Sequence, residues 1–91
     1  MRVVKPAYAG TLESSDVRVT VSPSDVIEIE VESIVAAQFE DAIIRTAREM
    51  LDEFKITGAR VNLKDQGALD CTIRARVETA LRRAVQGGST P

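Results

Sequence analysis

Histidine and tryptophan are absent from this 91-residue chain, cysteine occurs once, and the aromatics are two Phe and one Tyr. Without histidine the chain lacks the side chain that titrates nearest neutral pH, the commonest metal ligand, and the usual base of a Ser–His or Cys–His pair. That weighs against an autonomous hydrolase and leaves no metal site to propose. A lone Cys71 cannot close an internal disulfide, as expected of a chain made in a reducing compartment, and reads as a core residue. Scarce stacking rings and a net charge of -2 argue against nucleic acid, which selects for basic faces and aromatics. No apolar run approaches the roughly 20 residues of a membrane-spanning helix, and Met1 to Pro6 lacks the apolar segment of a signal peptide. The expectation is a cytoplasmic protein with neither a membrane nor a nucleic-acid partner.

What is present suits one small globular domain: 44% hydrophobic and 29% charged residues. We place that domain over residues 1–86, with 87–91 as a flexible Gly-Ser-rich tail. Ala7 to Leu12 and Val17 to Val21 suit two short strands, the second alternating Val17, Val19 and Val21 with Arg18 and Thr20. Val26 to Glu32 follows the Pro23-Ser24-Asp25 turn as a half-buried antiparallel strand, Ile27, Ile29 and Val31 inward and Glu28, Glu30 and Glu32 outward. Ser33 is placed to cap the next segment, where Phe39, Ala42, Ile43, Ala47, Met50, Leu51 and Phe54 recur at helical spacing. Gly58 is placed to end that helix in a left-handed conformation. Ala59, Val61 and Leu63 alternate as a fourth strand, and Asp65 offers an N-cap beyond it. From Leu69 to Ala75 the pattern fits either strand or helix; helix formers and the terminal Arg82 and Arg83 favour a helix from about Gln66 to Val85. The sum is an α+β two-layer sandwich: a mostly antiparallel sheet of about four strands, two helices on one face, order βββαβα.

Three polar groupings invite a functional reading. Glu13-Ser14-Ser15-Asp16 puts a serine hydroxyl at the tip of a hairpin, suited to modification by another protein because nothing nearby would deprotonate it for attack. Polar residues at hairpin tips are also ordinary, and its two carboxylates have no apolar pocket to perturb them. Glu28, Glu30 and Glu32 form an acidic stripe that could be simply solvated, with Arg18 as a cross-strand partner. Arg74, Arg76, Arg82 and Arg83 are a basic segment in which Arg76 and Arg83 share a helix face, able to grip a phosphate or an acidic partner, or merely to face water.

A resemblance sharpens the first grouping. Pro6-Ala7-Tyr8-Ala9-Gly10-Thr11-Leu12-Glu13-Ser14-Ser15-Asp16, then Gln38-Phe39-Glu40-Asp41-Ala42-Ile43, then Gly67-Ala68-Leu69-Asp70-Cys71-Thr72-Ile73-Arg74-Ala75-Arg76, resemble the citrate lyase acyl carrier proteins, the gamma subunits of that enzyme. The likeness runs from Pro6 to about Ala84 in the same order and spacing. It implies a non-catalytic phosphoprotein of citrate metabolism. Ser14, as a phosphoserine, would bear a phosphodiester-linked 2'-(5''-phosphoribosyl)-3'-dephospho-CoA group. The thiol of that group carries acetyl and citryl between an acyltransferase alpha subunit and a lyase beta subunit, and a prosthetic-group transferase installs it. Ser15 stands where the family commonly has glycine, so the turn and the choice between Ser14 and Ser15 are open to change; Glu40 replaces another glycine. The malonate decarboxylase carrier, a carrier of a related lyase such as citramalate lyase, and an unmodified adaptor are the alternative readings. Ordinary acyl carriers, with serine in an Asp-Ser-Leu motif at a helix start, do not match.

Overall fold

In the computed structural model of the chain, residues 2–34 and 39–85 are described. The elements are β1 (Ala7–Ala9), β2 (Val17–Ser22), β3 (Ile27–Ser33), α1 (Glu40–Glu53), β4 (Ala59–Asp65) and α2 (Asp70–Val85). The sheet runs β1-β2-β4-β3. At its centre β2 and β4 pair antiparallel with Val19 opposite Leu63 and Val21 opposite Val61, and the alternation of both strands turns those four side chains, with Val17 and Ala59, completely out of water. The helices cover that face. Ile43, Ala47, Met50 and Leu51 of α1 and Ile73, Val77, Ala80, Leu81 and Ala84 of α2 are buried at helical spacing against it. Arg74 ties the two helices together, donating to Glu49 at 2.6 Å and Glu53 at 3.0 Å. The expected α+β sandwich in the order βββαβα is the fold observed.

Several details differ from expectation, each for a local reason. β3 pairs with β4 in parallel rather than antiparallel, because α1 carries the chain back so that β4 enters between β2 and β3. The partner of the acidic stripe is accordingly β4: Arg60 reaches Glu28 at 3.0 Å and Asn62 reaches Glu32 at 3.2 Å, while Arg18 lies over the Tyr8 ring. β1 stops at Ala9, where Gly10 turns to φ 90. Ser33 ends β3 instead of capping α1, whose N-cap is Phe39 and which has no side-chain cap bond. Lys55, not Gly58, takes the left-handed conformation after α1. Gly58 serves close approach, since a Cβ there would collide with the Ser24 carbonyl oxygen.

Asp65 is the buried last residue of β4 and no helix cap; it accepts from the Ser33 hydroxyl at 2.8 Å and the Ala68 amide at 2.9 Å, binding the end of β3 to the following turn. α2 therefore begins at Asp70 rather than Gln66, and resolves the ambiguity around Leu69 to Ala75 as helix from Asp70 onward. That register puts Cys71 on the exposed side, against the expectation of a core residue. Gln38 of the second matched segment, and the expected tail, lie outside the described residues.

Candidate functional site

The segment from Gly10 to Asp16 joins β1 to β2 and is fixed at both ends. The Asp16 amide donates to the Glu13 carbonyl at 3.1 Å, which makes Ser14 and Ser15 the two central residues of a β-turn. Ser15 has φ 66, the left-handed value required at the third position of a type II turn and the reason glycine suits that position. Ser15 thus keeps the geometry that its larger side chain makes costly. Its amide is bound to the Gln66 carbonyl at 2.8 Å, and the Gln66 amide returns a bond to the Asp16 carbonyl at 2.8 Å, so the turn is stitched to the chain just beyond β4.

Asp16 is the hub. Its carboxylate accepts from the Thr11 amide and hydroxyl at 3.1 and 2.7 Å, from the Val17 amide at 2.7 Å, and from Nε and Nη2 of Arg76 at 3.0 and 2.9 Å. The bidentate Arg76 contact, from the middle of α2, is the foremost reason that the carboxyl is lowered from 3.8 to about 2; Thr11 and Val17 lower it further, and partial burial works against them. Gly10 completes the enclosure. A side chain there would strike the Val17 carbonyl oxygen and crowd the Cδ of Arg76.

Against this fixed frame Ser14 is exposed, and among the described residues nothing hydrogen-bonds its hydroxyl. Of the sequence-predicted site, Ser14, Ser15 and Asp16 sit together as expected. Glu13 is exposed beside them, its amide bound to the Thr11 hydroxyl at 3.1 Å. The basic segment is not one gripping face. Arg76 serves Asp16, Arg83 donates to the Tyr8 carbonyl at 2.8 Å, Arg74 holds α1, and Arg82 pairs with Glu78 and lies over Phe54. Sequence reasoning saw Arg76 but not its role, because its partner is 60 residues away.

Comparison with known proteins bears on this frame. A family model described as Malonate decarboxylase delta subunit (MdcD), of acyl carrier type, matches residues 4–84. The citrate lyase acyl carrier protein of Haemophilus influenzae (strain PittEE) is 54% identical over 84 residues, covering 92% of this chain and 88% of its own. This chain belongs to the citrate lyase acyl carrier protein family. A second member, from Treponema denticola, is 48% identical over 92% of this chain and 97% of its own. The fold extends to more distant proteins: a chain of a Pseudomonas malonate decarboxylase hetero-tetramer, crystallised with malonate, superposes with a TM-score of 0.68 at 18% identity over 92% of each chain. Membership in the citrate lyase acyl carrier family makes the chain a carrier subunit rather than an enzyme.

Proposed function

We propose that Ser14 is the attachment point of a phosphoribosyl-dephospho-CoA group and that the chain carries acyl thioesters for citrate lyase. The observation that carries this reading is the contrast within one loop: a free, outward serine hydroxyl on a turn held from Gly10 to Asp16 by Arg76 and Gln66. The chemistry of this site fits such a group. A phosphodiester needs an accessible oxygen, which Ser14 offers; the Asp16 carboxylate two residues on is committed to a guanidinium, and the Glu13 carboxylate on the other side is exposed, where water screens its charge. When bound, the group supplies a thiol that can hold acetyl and citryl as thioesters between acyltransferase and lyase subunits.

The chain's own part is mechanical. Ser14 tethers, which replaces bimolecular encounter by a high local concentration. Asp16, Arg76 and Gly10 keep the tether's root from folding inward. Ser15 is a weaker candidate for the bond, since its backbone is strained and its amide is held by Gln66. In this reading residues 1–86 act as one cytoplasmic carrier domain that meets the alpha and beta subunits and the transferase. The description of the matched family model favours one second reading, service to a malonate decarboxylase.

The test is intact and fragment mass analysis of the chain from citrate-grown cells, beside Ser14→Ala and Ser15→Ala. An adduct present in the unaltered chain and in Ser15→Ala, and lost in Ser14→Ala, is expected. An adduct that survives Ser14→Ala refutes the assignment. A citryl rather than a malonyl thioester on the thiol separates the two lyase readings.

A further inference from the structure

The face of the sheet away from the helices carries a shallow groove of about 390 Å³, lined by Leu12, Arg18, Thr20, Asn62 and Lys64. Its lining contains two cations and no carboxylate. Arg18 and Lys64 are directly opposite each other across β2 and β4, where like charges repel, and among the described residues neither has a carboxylate within salt-bridge distance. On the β3 side Arg60 pairs with Glu28, and Glu32, opposite Lys64, is bound to Asn62, while Arg18 lies over the Tyr8 ring. Two cations facing each other across β2 and β4 without an ion pair favour an anion between the two strands.

The groove starts at the modified loop. Leu12 lines it and is two residues before Ser14, so their backbones are at most about 7 Å apart. Its volume falls in the range of sites that hold small organic ligands, roughly 300–1,000 Å³. We propose that the groove is the resting site of the arm: its phosphates lie between Arg18 and Lys64, with Thr20 and Asn62 as hydrogen-bonding partners and Leu12 as an apolar wall. This inference rests on the carrier reading of Ser14. Its consequence is that an idle arm lies along the sheet, and that a catalytic subunit must draw it off before the thiol can reach an active site. The glutamates of β3 flank the groove on the far side of β4 and bound the anion's position, since Glu32 is opposite Lys64 and bound to Asn62.

The experiment compares amide NMR spectra of loaded and unloaded full-length chain, loading on Ser14 being established by mass, and repeats the comparison for the loaded Arg18→Gln/Lys64→Gln variant. Shifts at Thr20, Asn62 and Lys64, beyond the loop itself, are expected. They should fall by at least half in the double variant, and also in the unaltered chain at about 1 M salt, where the screening length is about 3 Å. Unlabelled dephospho-CoA added to the unloaded chain should shift the same amides. Shifts confined to residues 11–16 in a loaded chain overturn the groove and leave the carrier reading intact. Shifts on the sheet that arise only when the catalytic subunits are added overturn it in favour of a protein-docking face. An unmodified Ser14 overturns both.

Discussion

Replacing Arg76 by methionine should loosen the Ser14 loop while leaving the core packed. Methionine keeps much of the aliphatic stem beside Gly10 and removes only the charge and its two hydrogen bonds to Asp16. A carboxyl moved from 3.8 to about 2 corresponds to a ceiling of about 2.4 kcal/mol at about 1.36 kcal/mol per pH unit. Thr11 and Val17 share in that shift, and the Arg76 side chain is 40% exposed, so water screens the pair. About 1 kcal/mol of coupling is what remains. A double-mutant cycle of Arg76→Met and Asp16→Asn, followed by urea unfolding near neutral pH, measures it. Because the folded carboxyl is the stronger acid, its contribution is complete above about pH 4 and is lost as pH falls from about 4 to about 2. Over that window the unaltered chain should therefore lose more stability than Arg76→Met. A coupling below about 0.3 kcal/mol, or identical acid profiles, would refute the view that this ion pair fixes the loop.

Two further substitutions probe the same frame. Gly10→Ala forces a Cβ into the Val17 carbonyl at a φ of 90 and should cost about 2–4 kcal/mol, seen as a fall in Tm of more than about 10 °C; a Tm within a few degrees of the unaltered chain would show that the loop can yield there. Ser15→Gly relieves the left-handed serine at the expense of a floppier unfolded chain and should stabilise by about 0.5–1 kcal/mol in urea unfolding, an unchanged or lowered midpoint counting against strain at this residue.

Local periodicity carried most of the architecture. Val17, Val19 and Val21, then Ala59, Val61 and Leu63, alternate because each strand has one dry face, and the α1 residues recur at three and four because one helical stripe is dry. What periodicity lacks is pairing. The letters of β3 read the same whether its neighbour runs parallel or antiparallel, and only the position of β4 between β2 and β3 decides it. Asp65 looked like a cap because a strand-ending aspartate and a helix-starting one have similar local sequence; its burial beside Ser33 is a contact across 32 residues. Cys71 was misjudged because a lone free cysteine is more often buried than not, yet in the helix Ile73 faces the core while Cys71 faces water. The exposed turn position of Ser14 was legible because a polar turn between two alternating runs is local chemistry. The groove formed by Leu12, Arg18 and Lys64 was not, since it exists only once two strands distant in sequence lie side by side.

The bonds from Arg76 to Asp16 and from Gln66 to Ser15 also set a clock on biosynthesis. The serine is made early, but the residues that shape its turn, and the central strand that flanks it, are made late. A growing chain on the ribosome can present the serine without the fixed turn, and the turn closes only after α2 is translated. The closed turn is therefore a mark of the completed chain, since neither Gln66 nor Arg76 exists when Ser14 is first made.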